Sequence, residues 1–424
     1  MTRVCPLCFG ETVLKKIIER KRPEFPNRKC TFHPRYKGVP VEDVATIIDP
    51  VFRNHFGWRG DTPDGREQQG GPLKAAVGEL VRAVDDGIAD AIARQLIEDD
   101  DYEHSDDEQR FYRQDQTYAR YEPGDFRYSD LWRNFCESVV HGQRFFNTDA
   151  RDLIAELFNE IHRARGRYRQ APVYVIRPGE PGSKFYRARI VNHDNQRKEI
   201  ISAPGDQLGP PPKRLRRAGR MNPAGIACFY GAFNVQTCIS ELRPDVGSTV
   251  VSARFALIRP IHVLDTTQFV APMRSMSLFS SKYMARFQQW KFMQNFMNEA
   301  AKPILPGDEH LDYIPTQAVA EYLLYHYAFV RRDQPEKIEG IIYPSAQAPK
   351  GKNIVLLGEA AQVEAPPREK SRKPRKTEFG DRFPKSIASF MGEPSDRPNP
   401  GLRIVAGSTR TRRVKGARYH SAAV

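Results

Sequence analysis

The 424-residue chain has no apolar run of bilayer length, which excludes a transmembrane helix. Its first residues, Met1-Thr2-Arg3-Val4-Cys5-Pro6, lack the charged-then-apolar layout of a secretory signal, so a cytoplasmic location with no membrane partner is expected. Cysteine is scarce, six in all, and does not suggest a disulfide framework in a long cytosolic chain. No GxGxxG follows a strand-like run, which excludes a Rossmann turn. The acidic stretch from Glu98 to Glu108 lacks the central glycine of a calcium loop and reads as a solvated connector. Acidic residues are outnumbered overall, 52 against 66 Lys and Arg, for a net charge of +14. Most of that surplus is local: from Ala365 to Val424 there are 15 Lys and Arg but 5 Asp and Glu. This Pro-, Arg- and Ser-rich end has few large apolar residues to offset the entropy of ordering. Residues 363–424 are therefore expected to be a disordered basic tail, suited to weak contact with nucleic acid.

What is present begins with Cys5-Pro6-Leu7-Cys8 and Cys30-Thr31-Phe32-His33. Two pairs, each with two residues between its members, suit the halves of a tetrahedral zinc site. Four protein ligands, Cys5, Cys8, Cys30 and His33, leave no open position, so the zinc is expected to be structural, in a module over residues 1–40. A helical domain is expected over 41–170. Leu73, Val77, Leu80, Val81, Val84, Ile88 and Ile92 recur at helical steps after Pro72, and two later helices follow Trp132 to Val140 and Leu153 to Ile161. The stretch from Trp132 to Phe146 resembles the HEPN-like domain often joined to the family named below. HEPN nucleases space an Arg and a His more closely than the seven residues between Arg133 and His141, so the helices are expected to be scaffold or regulatory.

From Ala171 the texture changes. Val173 to Ile176, Phe185 to Ile190, Thr249 to Val251, Ile261 to Leu264, Ile338 to Tyr343 and Ile354 to Leu357 predict strands. Helical patterns fall irregularly between them, which argues for an α+β domain over 171–362. Arg187 lies in the second strand, and Arg220 and Asn222 lie in an irregular Gly- and Pro-bounded loop. Tyr230 follows. Glu241 closes a helix predicted through Val235, Cys238 and Ile239, and Ser345 stands just past a strand.

The wording around these residues resembles the RES family, named for its Arg, Glu and Ser. Gly219-Arg220-Met221-Asn222-Pro223-Ala224-Gly225 is similar to the family's GRxNPxG stretch, and Phe229-Tyr230 through Glu241 to its Tyr-to-Glu segment. Tyr313 to Gln317, Gly340 to Ser345 and Asn353 to Leu357 look like its later blocks. The resemblance implies an ADP-ribosyltransferase-like fold, NAD as substrate and cleavage of its nicotinamide–ribose bond. It implies that Arg187, Tyr230, Glu241 and Ser345 are the catalytic residues and that Arg187, Arg220, Asn222, Tyr230 and Ser345 bind NAD: the two arginines are expected to clamp the phosphates, Tyr230 to face the nicotinamide ribose, Ser345 to fix the ribose, and Glu241 to stabilise the ribosyl cation or orient its acceptor. Water would make a glycohydrolase, phosphate a phosphorylase, and a protein side chain an ADP-ribosyltransferase. A toxin role with an antitoxin or other regulatory partner is a further implication. A Pro-, Lys- and Arg-rich insertion from about Val191 to Arg217 departs from compact members. The rival of another class is a zinc-containing nucleic-acid-binding protein with an inert RES-like domain.

Overall fold

The computed structural model describes all residues except 59–69, 104–109, 122–123, 125, 302–308, 332, 366–398 and 417–424. Contacts divide the chain into two units, Met1–Arg127 with Ser275–Gln289, and Tyr128–Arg274 with Trp290–Val424. No helix among the described residues is long and apolar enough to cross a membrane.

In the first unit β1 (Arg3–Val4) precedes α1 (Thr12–Lys21), and β2 (Val39–Pro40) leads into α2 (Val41–His55). Then come β3 (Phe56–Trp58), β4 (Gly71–Pro72), α3 (Leu73–Val81), α4 (Asp86–Glu103) and β5 (Thr117–Arg120). Strands β1 and β2 pair, and β5 takes β3 on one side and β4 on the other. The stripe beginning at Leu73 is two helices rather than one, because Arg82 turns the chain at a left-handed φ of 51°. Leu73, Val77, Leu80, Ile88 and Ile92 share one core with Ile48 and Phe52 of α2. Cys5, Cys8 and Cys30 belong to that same core, so residues 1–40 are not a separate module. The acidic connector is also corrected. Helix α4 continues into it, and Asp100 is buried, accepting from Arg53 Nη2 at 2.6 Å and the Tyr112 amide at 2.8 Å. A buried carboxylate needs such partners to offset lost hydration. Asp106 and Asp107 lie outside the described residues.

The helices expected to form one domain over 41–170 fall in both units. Helices α5 (Phe126–Val140) and α6 (Thr148–Leu157) contribute Phe135, Val139, Ile154 and Leu157 to the main core of the second unit. Arg133 pairs with Asp130 on the surface, and His141 is exposed past the end of α5.

The sheet of the second unit is built from β6 (Val173–Ile176), β7 (Lys184–Val191), β8 (Cys228–Ala232), β9 (Thr249–Leu257), β10 (Ile261–Asp265) and four later strands. Between them lie α7 (Asp194–Ser202), α8 (Pro204–Leu208), α9 (Val235–Glu241), α10 (Tyr283–Ala301), α11 (Glu309–Asp312) and α12 (Ile314–Tyr325). A hairpin of β11 (Ala328–Arg331) and β12 (Gln334–Lys337) precedes β13 (Gly340–Pro344) and β14 (Lys352–Leu357), and β15 (Leu402–Ile404) and β16 (Arg410–Arg413) close the chain. The order is β15-β9-β7-β8-β14-β13-β10-β6, with β16 also on β9. One face buries Phe185, Phe229, Phe255 and Ile354 with Ile200 of α7 and Leu208 of α8. The insertion from 191 to 217 is thus folded onto the sheet, anchored by its few apolar side chains. The other face buries Cys228, Ile341 and Val355 against α5, α6 and α12.

The disordered-tail expectation fails over 399–416. Leu402 is fully buried, β15 pairs with Phe255 to Leu257, and β16 pairs with Thr249 to Ser252. Low apolar content does not matter here, because the open edge of β9 supplies the backbone hydrogen bonds. Residues 366–398 and 417–424 of that tail lie outside the described residues.

Candidate functional site

Helix α9 brings the first candidate into place. Asn234 caps it by accepting from the Thr237 amide at 2.7 Å, and the chain leaves it through Arg243, at φ 45°, and Pro244. Glu241 therefore ends the helix. A carboxylate at this terminus faces the negative end of the backbone dipoles, so it gains nothing from them. Its support comes from across the sheet: Oε1 accepts from Ser345 Oγ at 2.5 Å and from Asn353 Nδ2 at 2.8 Å. Oε2 accepts no hydrogen bond from the described residues.

Ser345 follows β13 in the turn to β14. Its Oγ accepts from the amides of Gln347 at 3.2 Å and Ala348 at 3.0 Å, which leaves its proton for the carboxylate. Gly351 closes that turn, and a Cβ there would meet Thr237 Oγ1 of α9 at 2.6 Å. The close approach that joins Glu241 to Ser345 thus requires glycine. Asn353 is 3% exposed and stands in register between Ala232 and Tyr343. Sequence reasoning missed it. Its block was read as a strand, and only a polar amide inside an apolar strand pointed further.

Arg220 rides on the loop before β8. That loop is folded back on itself by the paired backbones of Gly219 and Asn222, at 2.8 and 3.2 Å. Tyr230 reaches up from β8, its hydroxyl accepting from the Met221 amide at 3.0 Å and donating to Asn222 Oδ1 at 2.8 Å. Asn222 Nδ2 donates to Arg217 and Pro223 carbonyls. From α12, Gln317 Nε2 donates to the carbonyls of Gly219 and Asn222, and Thr316 Oγ1 to that of Arg220. A Cβ on Gly219 would meet the Tyr230 hydroxyl at 2.9 Å. Tyr230 and Asn222, expected to contact substrate, thus spend their polar atoms on holding the loop. Burial pushes the Tyr230 phenol well above its usual range, so it is no proton acceptor at neutral pH. The Arg220 guanidinium lies 5.6 Å from the Tyr313 ring centroid.

Arg187 sits where the sheet divides. Strands β7 and β9 share eight pairs, but β7 and β8 meet at one, Tyr186 with Ala232. One residue beyond that junction, the Arg187 guanidinium packs 5.2 Å from the Phe229 ring centroid, and its buried Nη1 has no acceptor. Burial lowers its pKa to about 10, and Arg189 adds to the shift. It stays charged at neutral pH. Cys238, in α9, has its thiol pushed up to about 12 by burial while it feels both Arg187 and Glu241. Tyr343 is pushed above its usual range by burial, with Glu241 adding and Arg220 opposing. Two arginines and one acid therefore act on a shared neighbourhood. Glu241, Ser345 and Asn353 are in direct contact, Arg187 shares the neighbour Cys238 with Glu241, Arg220 shares Tyr343 with it, and Tyr230 and Asn222 form the support beneath. A cavity of about 800 Å³ opens instead at the other end of β13 and β14, beside Lys213, Ile226, Tyr325, Lys337 and Glu359, and holds none of these residues.

In the first unit, the ligand atoms of Cys5, Cys8, Cys30 and His33 all lie within 4.8 Å of one another. Cys8 Sγ is 3.6 Å from Cys30 Sγ and 3.4 Å from His33 Nδ1, and Cys5 Sγ is 4.0 Å from Cys8 Sγ. Ligands about 2.0–2.3 Å from a tetrahedral centre are separated by such edges. Backbone amides turn toward sulfur, Cys5 N to Cys8 Sγ at 3.4 Å and His33 N to Cys30 Sγ at 3.3 Å. The four residues could hold a metal ion.

Residues 184–375 match the RES domain family model. The match begins with β7 and takes in Arg187, Arg220, Glu241, Ser345 and Asn353, while the Cys/His cluster, β15 and β16 fall outside it. No curated protein and no solved structure matches the chain.

Proposed function

We propose that the second unit binds NAD and breaks its nicotinamide–ribose bond. The carrying observation is the Glu241 carboxylate, held through one oxygen by Ser345 and Asn353 and open at the other. When the C1′–N bond breaks, nicotinamide leaves with the electron pair and C1′ becomes an oxocarbenium-like centre. A fixed carboxylate stabilises that charge, or takes the proton of an attacking water. With water the products are nicotinamide, ADP-ribose and a proton, and with inorganic phosphate a ribose 1-phosphate ester forms instead. Arg187 suits the pyrophosphate because a guanidinium makes two directed bonds to phosphate oxygens and keeps its charge. Arg220 would supply the second cation, set by the Tyr230-Asn222-Gln317 frame. A sheet that divides beside Arg187 also agrees with an ADP-ribosyltransferase-like fold. Unrestrained NAD loss would harm a cell, so such an enzyme calls for a restraining partner of the antitoxin kind.

In the first unit zinc is the ion proposed, since three thiolates and one imidazole are a borderline-soft donor set. It would be structural, with all four positions filled by protein.

Incubation of the full-length protein with NAD, with and without phosphate, followed by product identification, tests the main reading. Free nicotinamide is expected in both arms, and the companion product names the acceptor. Intact NAD in both arms, from folded and metal-loaded protein, would sink it.

A further inference from the structure

Strands β15 and β16 are two halves of one bulged strand along β9: Ile404 pairs with Phe255 and Arg410 with Ser252, and the residues between bulge out through Gly407, at φ 65°. Register fixes which side chains share a face. Arg410 and Arg412 stand opposite Ser252 and Val250, and Arg254 stands opposite Tyr186. Positions 250, 252 and 254 alternate onto one side of β9, so all three arginines lie on the face that carries α9. Arg412 Nη1 donates to Ser252 Oγ and Arg410 Nη1 to the Gly407 and Thr409 carbonyls. None of the three forms an ion pair among the described residues, and Arg254 Nε is buried without an acceptor. Three like charges grouped without acids are a standing electrostatic cost. An anionic ligand would remove it.

We infer that this edge binds single-stranded nucleic acid. The cations form a line rather than a plane, with Arg410 and Arg412 about 7 Å apart along one strand, as suits a chain of phosphates more than a membrane surface. Tyr186, half-buried beside Arg254, adds an aromatic ring on the same face for a base to stack on. The sequence placed such contact in the basic tail at large. The structure assigns it to an ordered edge where β16, outside the family match, adds Arg410 and Arg412 to Arg254 and Tyr186 within it.

The test is fluorescence anisotropy of full-length protein with a short single-stranded oligonucleotide, as RNA and as DNA, over a salt series. The combined variant Arg254→Gln, Arg410→Gln, Arg412→Gln is expected to lose at least about tenfold in affinity and roughly 2 from the log–log salt slope. The matching all-lysine variant, which keeps charge, should retain most of the binding and guards against a folding defect in the first. Neutralising Arg372, Arg375 and Lys376 should change little. Loss of binding in this last variant but not in the edge variant would overturn the inference. So would affinity for anionic phosphatidylserine vesicles with none for either oligonucleotide.

Discussion

At the scale of single residues, Arg187 and Glu241 are placed where folding alone would not put them. Arg187 is charged and half-buried, with Nη1 fully buried and short of an acceptor, and burial disfavours its ionised form enough to lower its pKa to about 10. Because that value lies below the unfolded one, the penalty is present in full at neutral pH and fades as pH rises from about 10 toward the ordinary arginine value. Replacing such a group by an apolar side chain of similar length removes the penalty. Arg187→Met is expected to raise stability by roughly 1–3 kcal/mol in a denaturant titration while abolishing NAD turnover. A variant that is both destabilised and active would refute the assignment. Glu241 is exposed and gives little to the core, so Glu241→Gln should change the melting temperature by less than about 2 °C. Its turnover should fall at least about a hundredfold, measured as nicotinamide release.

Among elements, the loop of Arg220 depends on a hydroxyl that sequence reasoning had assigned to chemistry. Tyr230→Phe orphans the Met221 amide and the Asn222 side-chain Oδ1, a cost of about 1–3 kcal/mol. Its kinetic signature should be a KM for NAD raised several-fold with kcat within about twofold, since the phenol positions a binding loop and does not touch the reacting bond. A kcat collapse at unchanged KM would return Tyr230 to the chemistry. Its hold on the loop was not legible for a physical reason: a motif gives residue types in order but not which of their atoms are already paired. Helix α9, ending at Glu241, was legible because Val235, Cys238 and Ile239 keep helical spacing, and most sheet strands announced themselves by β-branched runs. Strand β8 escaped because Tyr230-Gly231-Ala232 has no such run, and its pairing with β14 decides its conformation. Strand β16 is Arg-Thr-Arg-Arg, polar enough to pass for disorder, and only the open edge of β9 makes it a strand. Asn353 escaped because its importance lies in a partner 112 residues away.

For the molecule as a whole, two cores are held by different means. The second unit rests on a sheet covered on both faces, whereas the first packs short strands and helices around three buried thiols that meet a histidine. Without an ion those thiols are costly to ionise: burial raises the pKa of Cys5 and Cys8, and Cys30 nearby raises both further. Bound zinc reverses that, because thiolates then face a divalent cation, and the binding energy becomes folding energy for the segment that supplies the ligands. Cys8 is fully buried, its sulfur approaches all three other ligands, and it accepts the Cys5 amide. Removing the ion with a chelator, or changing Cys8→Ser, should therefore raise hydrogen–deuterium exchange across β1, α1, β2 and the start of α2. Metal analysis on the same samples decides the outcome: if one zinc per chain is lost and amide protection over residues 1–50 does not change, the cluster is not what holds this core.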